Sequence, residues 1–255
     1  MYLQAVNRVI AFEWKKYTST AASVFQSVFY PIIYLFVAAP AIGSQVGDIM
    51  LDGQPIPYMY YVLPGVIIFN AFSSSQYVGI NQYISIVTGE MEMLISFPFK
   101  RAALIQGTIS FALIKSIIQA SIFLLVTQLF YASQPIGIRI WLIYMAMITL
   151  FSLVASSIFF ALACLIRSQN AFNIMVNMIT LPLIVTSNGL YSLENAPLYL
   201  RILTRINPLS YYIQAMRQAA FSREWSLFIG VSIVSLALLP VLLGLAIHKI
   251  NSILD

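Results

Sequence analysis

Long apolar runs, separated by short polar segments, set the pattern of the chain. Six runs come near the ~20 residues a helix needs to cross a bilayer. They cover about 21–42, 61–87, 102–131, 140–166, 171–190 and 227–247. Lipid offers no partner to an open backbone, and nothing here alternates like a barrel strand, so all six are expected as helices. Ahead of them, Leu3, Val6, Ile10, Trp14 and Tyr17 recur at three- and four-residue steps, while Gln4, Asn7, Arg8, Lys15 and Lys16 fall elsewhere. That period predicts an amphipathic helix over 2–17, lying in the membrane interface with its aromatic residues at headgroup depth. The alternative is a polar leader without fixed structure.

The expected fold class is an all-α integral membrane protein with six transmembrane helices. Residues 1–20 form the interfacial helix. Residues 21–190 hold five spans, with a short cytoplasmic helix at about 88–101 between spans two and three. Residues 191–226 form an outer re-entrant loop with short helices, and 227–255 form span six and the tail. Within the outer loop, Asn207-Pro208 has the form of a helix start: a capping side chain, then proline at the first helical position. Leu209, Tyr212, Ile213, Met216 and Ala220 then make an apolar face, opposite Ser210, Gln214, Arg217 and Gln218. Asn188-Gly189 is the expected stop of span five.

Residues 89–101, GEMEMLISFPFKR, form a charged patch between two long apolar runs. Glu90 and Glu92 open it, an apolar group from Met91 to Phe97 follows, Pro98 breaks it, and Lys100 and Arg101 close it. Acidic residues suit a helix N-terminus and basic residues its C-terminus, so a short surface helix fits. A solvated loop with a basic end fits equally.

Composition confirms the membrane class and removes much chemistry. Hydrophobic residues make up 60% of the chain and charged residues 8%, where a soluble domain carries about a quarter charged. With one cysteine, Cys164, there is no intrachain disulfide or multi-cysteine metal site. A single histidine, His248, argues against His-based catalysis. The net charge of +5 is read as cytoplasmic loops facing anionic lipid and not as nucleic-acid binding. No cleavable signal peptide is expected, because Arg8, Glu13, Lys15 and Lys16 precede the first apolar run without a following cleavage site. Arg8, Lys15, Lys16, Lys100, Arg101, Arg167 and Lys249 place both termini in the cytoplasm. The arginines of the outer loop, Arg201, Arg205, Arg217 and Arg223, run against that rule and mark the loop as structured.

No glycine is followed by lysine, so no phosphate-binding GxxxxGK[ST] loop exists in the chain. No span centre holds Asp or Glu, as ion-coupled carriers usually do. Lys115, about two turns from the cytoplasmic end of its span, is expected to snorkel. The chain is thus a membrane pathway that must borrow its energy source, and 89–101 is where that source would attach. Asn70, Ser73, Tyr77 and Asn81 in span two, and Asn173, Asn177, Thr180 and Ser187 in span five, form two polar stripes. Either they glue helices together or they line a cavity.

Four places resemble the ABC-2 type permeases, in particular six-span exporter subunits of the daunorubicin-resistance and nodulation-export kind. Leu63-Pro64-Gly65 resembles the start of their second span. Gly89, Met91, Glu92, Leu94, Ile95 and Pro98, followed by Lys100 and Arg101, resemble their coupling segment. Tyr191-Ser192-Leu193 resembles the loop after their fifth span, and Asn207-Pro208-Leu209-Ser210-Tyr211 with Ala215 and Arg217 resembles their outer signature. Where that family often has charged residues before the glycine, this chain has Ile86-Val87-Thr88.

The resemblance implies an export permease without a catalytic site, paired with a second copy or a homologous permease in the cell membrane. A separate nucleotide-binding ATPase subunit would carry ATP and Mg. The coupling helix, with Gly89, Glu90, Glu92, Leu94, Ile95, Pro98, Lys100 and Arg101, would dock on that subunit. The substrate would be an amphipathic small molecule or lipid, giving a multidrug-resistance type of activity. A lipid-linked polysaccharide is the alternative cargo. A membrane enzyme or an accessory protein is the alternative class.

Overall fold

A computed structural model describes residues 2–21, 24–25, 29, 32–51, 54–96, 101–130, 136–166, 168–193 and 196–254. The described chain is mostly helical. Helix α1 spans Tyr2–Ser19. A π-helical turn, Tyr34–Ala38, runs into α2, Ala39–Val46. Strands β1, Asp48–Leu51, and β2, Gln54–Pro57, precede α3, Tyr58–Val87. The short α4 is Glu90–Ser96. Then come α5, Arg101–Phe130, α6, Ile138–Leu165, and α7, Gln169–Thr186. Helices α8, Leu198–Ile206, and α9, Pro208–Arg217, lead through a second π-helical turn, Gln218–Ser222, to α10, Ser226–Leu254.

Three of these helices are long and apolar enough to cross a membrane: α5, α6 and residues Ser226–Ile250 of α10. Helix α3 is as long as α5, at 30 residues. Asn70, Gln76, Asn81 and Gln82 lower its hydropathy. Much of the expected first span, including Pro31, lies outside the described residues; its end continues past residue 42 into α2, with Pro40 in the first turn.

The bundle is organised by α3 lying along α6, with α5 against both and α10 on the other side of α6. Phe72, Phe151, Phe159 and Phe172 mesh where α3, α6 and α7 meet. Gly79 permits this closeness, since a Cβ there would stand 2.9 Å from Phe159 Cβ. A second apolar cluster joins Val9, Val78, Met91, Leu104, Ile105, Phe160 and Ile250 at the opposite end from the strands.

Four expectations change. The loop before α3 is a hairpin, so the protein is not purely α: Ile49 pairs with Ile56, and both are buried. Its four-residue strands are too short for alternation to stand out in the sequence. Helix α1 buries Val6 and Tyr17 and partly buries Ile10 and Trp14 of the expected face, but Leu3 is 75% exposed and Ala5, Val9 and Glu13 are buried in addition. It docks on α5 at Gly107, where a Cβ would meet Val9 at 2.6 Å. Helix α4 is described over Glu90–Ser96, Pro98 and Lys100 lie outside the described residues, and Arg101 opens α5 in place of closing the short helix. Finally, α7 stops at Thr186, short of the expected residue 190, while the stop expected at Asn188-Gly189 holds as a buried turn of Ser187 to Gly189.

Candidate functional site: the clipped short helix, the polar stripes and the outer staple

Gly89 ends α3 and starts α4. Its φ of 74° lies in the left-handed region, which glycine enters at little cost. The turn sets Glu90 beside Ser85, on the last turn of α3, and Lys16, near the end of α1. Lys16 Nζ donates to Glu90 Oε2 at 2.7 Å and to Ser85 Oγ at 3.2 Å. Ser85 Oγ donates to the same Glu90 oxygen at 2.7 Å. Partial burial opposes ionisation of Glu90, but the Lys16 and Ser85 hydrogen bonds outweigh it and hold the carboxyl below its ordinary range.

Met91, 4% exposed, plugs into the second apolar cluster, while Met93 is exposed and Leu94 is partly buried. So α4 is fixed at its start by a charged clip and an apolar plug. The backbone of Glu92 and Ile95 lies in α4; Pro98 and Lys100 lie outside the described residues. Arg101 is partly buried at the start of α5.

Glu13 lies one turn before Lys16 on the buried side of α1. Burial pushes its carboxyl up, Lys16 pulls it down, Glu90 pushes it up, and Thr108 supplies a long hydrogen bond of 3.5 Å; the net direction is up. Neither Lys16 nor Glu13 was legible as a site residue, because 74 positions separate Lys16 from Glu90.

The two polar stripes are divided by the fold. In α3, Ser73 is exposed and bonds only the Phe69 carbonyl, Asn81 bonds the Tyr77 carbonyl, and Asn70 is half-buried. Tyr77 turns into an aromatic group, 5.6 Å from Tyr17 and 6.1 Å from Phe111 between ring centres. In α7, Asn173 and Asn177 are exposed. Thr180 instead accepts from Gln76 of α3, and Ser187 caps the helix end, donating to Ile184. The structure thus joins the stripes at Gln76 and Thr180 and leaves Ser73, Asn173 and Asn177 on the outside of the single chain.

Lys115 does not snorkel. It lies at the middle of α5, 5% exposed, with Nζ 4.3 Å from the Tyr17 ring centre and 4.5 Å from that of Tyr77. Aromatic faces attract the cation where water is excluded.

The opposite end is stapled by α9. Asn207 caps the helix, its side chain accepting from Leu209 N at 2.9 Å while donating to the Leu183 carbonyl at 2.6 Å and to Thr186 Oγ1 at 3.0 Å. Pro208 occupies the first turn, and Tyr211 donates to the Arg205 carbonyl at 2.5 Å. Arg217 is not on an outer polar face: it is 2% exposed. Its guanidinium donates to the Tyr61 carbonyl at 3.2 and 2.9 Å and to the Asn188 carbonyl at 3.1 Å. It also stacks 3.6 Å from the Tyr61 ring centre. Tyr58 and Tyr61 hydroxyls hold the Leu190 and Tyr191 carbonyls. Beside them α3 and the turn after α7 touch backbone to backbone, since a Cβ on Gly65 would stand 2.5 Å from the Gly189 oxygen.

Apolar helices of membrane length, a short helix clipped to one end and a buried arginine staple at the other define a multi-pass helical membrane protein. The chain belongs to the ABC-2 type transporter family, whose sequence profile matches residues 4–221. It is also similar to the protein named "Putative transport permease ycf38" in Porphyra purpurea, at 22% identity over 224 residues, 87% of this chain and 74% of that one. The protein of the same name in Pyropia yezoensis is 24% identical over the same shares.

Proposed function

We propose that the chain is the membrane subunit of an ATP-driven exporter of amphipathic small molecules or lipids. In this reading α3, α5, α6, α7 and α10, with the segment before α2, make six spans across the cell membrane, with both termini cytoplasmic. The chain carries no catalytic step. ATP and Mg bind a separate nucleotide-binding subunit, and a second copy of the chain completes the pathway. The exposed polar residues Ser73, Asn173 and Asn177 supply a face on which two copies could enclose a cavity.

The observation that carries the reading is the way α4 is held. A seven-residue helix with one exposed edge, plugged by Met91 and clipped through Glu90 to α1 and α3, is a rigid lever. A force applied at its exposed Met93 edge reaches α1 and α3 through Glu90 and the second apolar cluster through Met91. That edge is the natural seat for an ATPase.

The test is purification in mild detergent with mass spectrometry of what accompanies the chain. A stoichiometric P-loop ATPase is expected. The Glu92→Arg variant is expected to insert and fold yet lose stimulation of that ATPase. Repeated purification without an ATPase, or unchanged stimulation in the variant, rejects the reading.

A further inference from the structure

A cavity of about 720 Å³ opens between α6, α9 and the first half of α10, away from α4 and from the polar stripes. Such a volume falls within the roughly 300–1,000 Å³ of small-molecule sites. Val154 and Ile158 form one wall and Leu227, Val231, Val234 and Leu238 another, with Tyr211 and Tyr212 across the top. Three of its lining hydroxyls are already bonded: Tyr211 donates to the Arg205 carbonyl, Tyr212 and Ser235 share a hydrogen bond of 2.6 Å, and Ser235 donates to the Val231 carbonyl at 2.7 Å. The cavity therefore asks for hydrocarbon.

Its length identifies the kind of hydrocarbon. Lining residues run along α10 from Ser226 to Leu238, which is about 18 Å at 1.5 Å per residue. One leaflet of a hydrocarbon core about 30 Å thick is about 15 Å deep. The groove thus spans one leaflet, in the half of the bilayer at the start of α10. The surrounding surface of α10 is lipid-facing in character, with Ile229, Ile233 and Val234 exposed.

The mouth carries charge and aromatic rings. Arg205 is exposed, and its carbonyl holds the hydroxyl of the lining residue Tyr211. Arg223, exposed and in the left-handed region with φ 58°, stands three residues before the lining Ser226. Glu224 follows Arg223 in the chain and is also exposed. Trp225 is 41% exposed at the same level, with the Arg139 guanidinium 5.6 Å from its ring. Tryptophan and tyrosine prefer the headgroup layer, and guanidinium groups bind phosphate.

We infer that this groove is a lipid site that takes one acyl chain of an anionic phospholipid, with its phosphate held at Arg205 and Arg223. The site depends only on α6 and α10 crossing the membrane and is independent of the transport reading.

The test is native mass spectrometry of the delipidated full chain in mild detergent, titrated with phosphatidylglycerol or phosphatidylcholine. One phosphatidylglycerol per chain is expected, about tenfold tighter than phosphatidylcholine, whose identical phosphate is accompanied by a choline cation that the two arginines repel. Gly230→Leu fills the groove without disturbing the fold, because nothing lies within 4 Å of a Cβ at that position. It is expected to weaken phosphatidylglycerol about tenfold, through the loss of one or two methylene contacts. Arg205→Gln with Arg223→Gln is expected to bring phosphatidylglycerol down to the level of phosphatidylcholine. Unchanged binding in Gly230→Leu, or equal binding of the two lipids by the native protein, overturns the proposal.

Discussion

Glu13 and Gly65 show how single residues hold the bundle under strain. Burial raises the Glu13 carboxyl above its ordinary 4.5, so the folded chain binds a proton there more tightly than the unfolded one. Stability from this group is therefore greatest below pH 4.5 and falls as pH rises through the folded value. Glu90 acts in the opposite direction: its lowered carboxyl contributes above the ordinary value and is lost as pH falls. Glu13→Gln is expected to raise the thermal transition in detergent at neutral pH and to flatten its fall as pH rises above 4.5. A lower transition at neutral pH would mean that the Glu13 charge stabilises the fold. Gly65→Ala forces a methyl into the Gly189 backbone, and overpacking of this sort costs about 1–3 kcal/mol. Gly230→Ala, with open space around it, is expected to leave the transition unchanged or slightly higher, and the same melts check both.

At the scale of elements, α1 and α4 are coupled through one ion pair. Its side chains are 25% and 22% exposed, so its direct worth is of the order of 1 kcal/mol or less. Its importance lies in register, since it fixes the start of α4 against the end of α1. Lys16→Glu and Glu90→Lys are each expected to lower stability, and the double swap to recover part of the loss. A double-mutant cycle on thermal unfolding measures the coupling. A coupling energy of zero would leave Met91 alone as the anchor of α4.

At the scale of the whole molecule, the stapled end and the clipped end differ in character. Arg217, Asn207 and the Gly65–Gly189 contact lock α3, α7 and α9 together through buried side chains that donate to backbone carbonyls and through a close backbone approach. The other end meets through side chains, Lys16 to Glu90 and Met91 into its cluster. Motion driven at α4 is therefore expected to pivot about the staple. Asn70→Leu with Asn177→Leu is expected to abolish substrate-stimulated ATPase activity of the assembled transporter while leaving its basal rate. Retained stimulation would remove α3 and α7 from the pathway.

The sequence by itself determined the membrane class, the helical nature of most long apolar runs and the cap at Asn207, because these follow from local terms: hydropathy over a span and a side chain reaching its own helix. The 89–101 patch could be read as a short helix or equally as a solvated loop, and the structure decided for a helix over Glu90–Ser96. The hairpin at 48–57 was hidden because four-residue strands carry too little pattern. Only the tertiary structure decided where the polar groups went. Arg217 looks like surface by periodicity, yet the Tyr61 and Asn188 carbonyls, which lie 156 and 29 positions away, give it a buried seat. Lys115 looks free to snorkel, yet the rings of Tyr17 and Tyr77 enclose it. The seats of Arg217, Lys115 and the Lys16–Glu90 pair are made by partners distant in sequence, and that information exists only once the helices have packed.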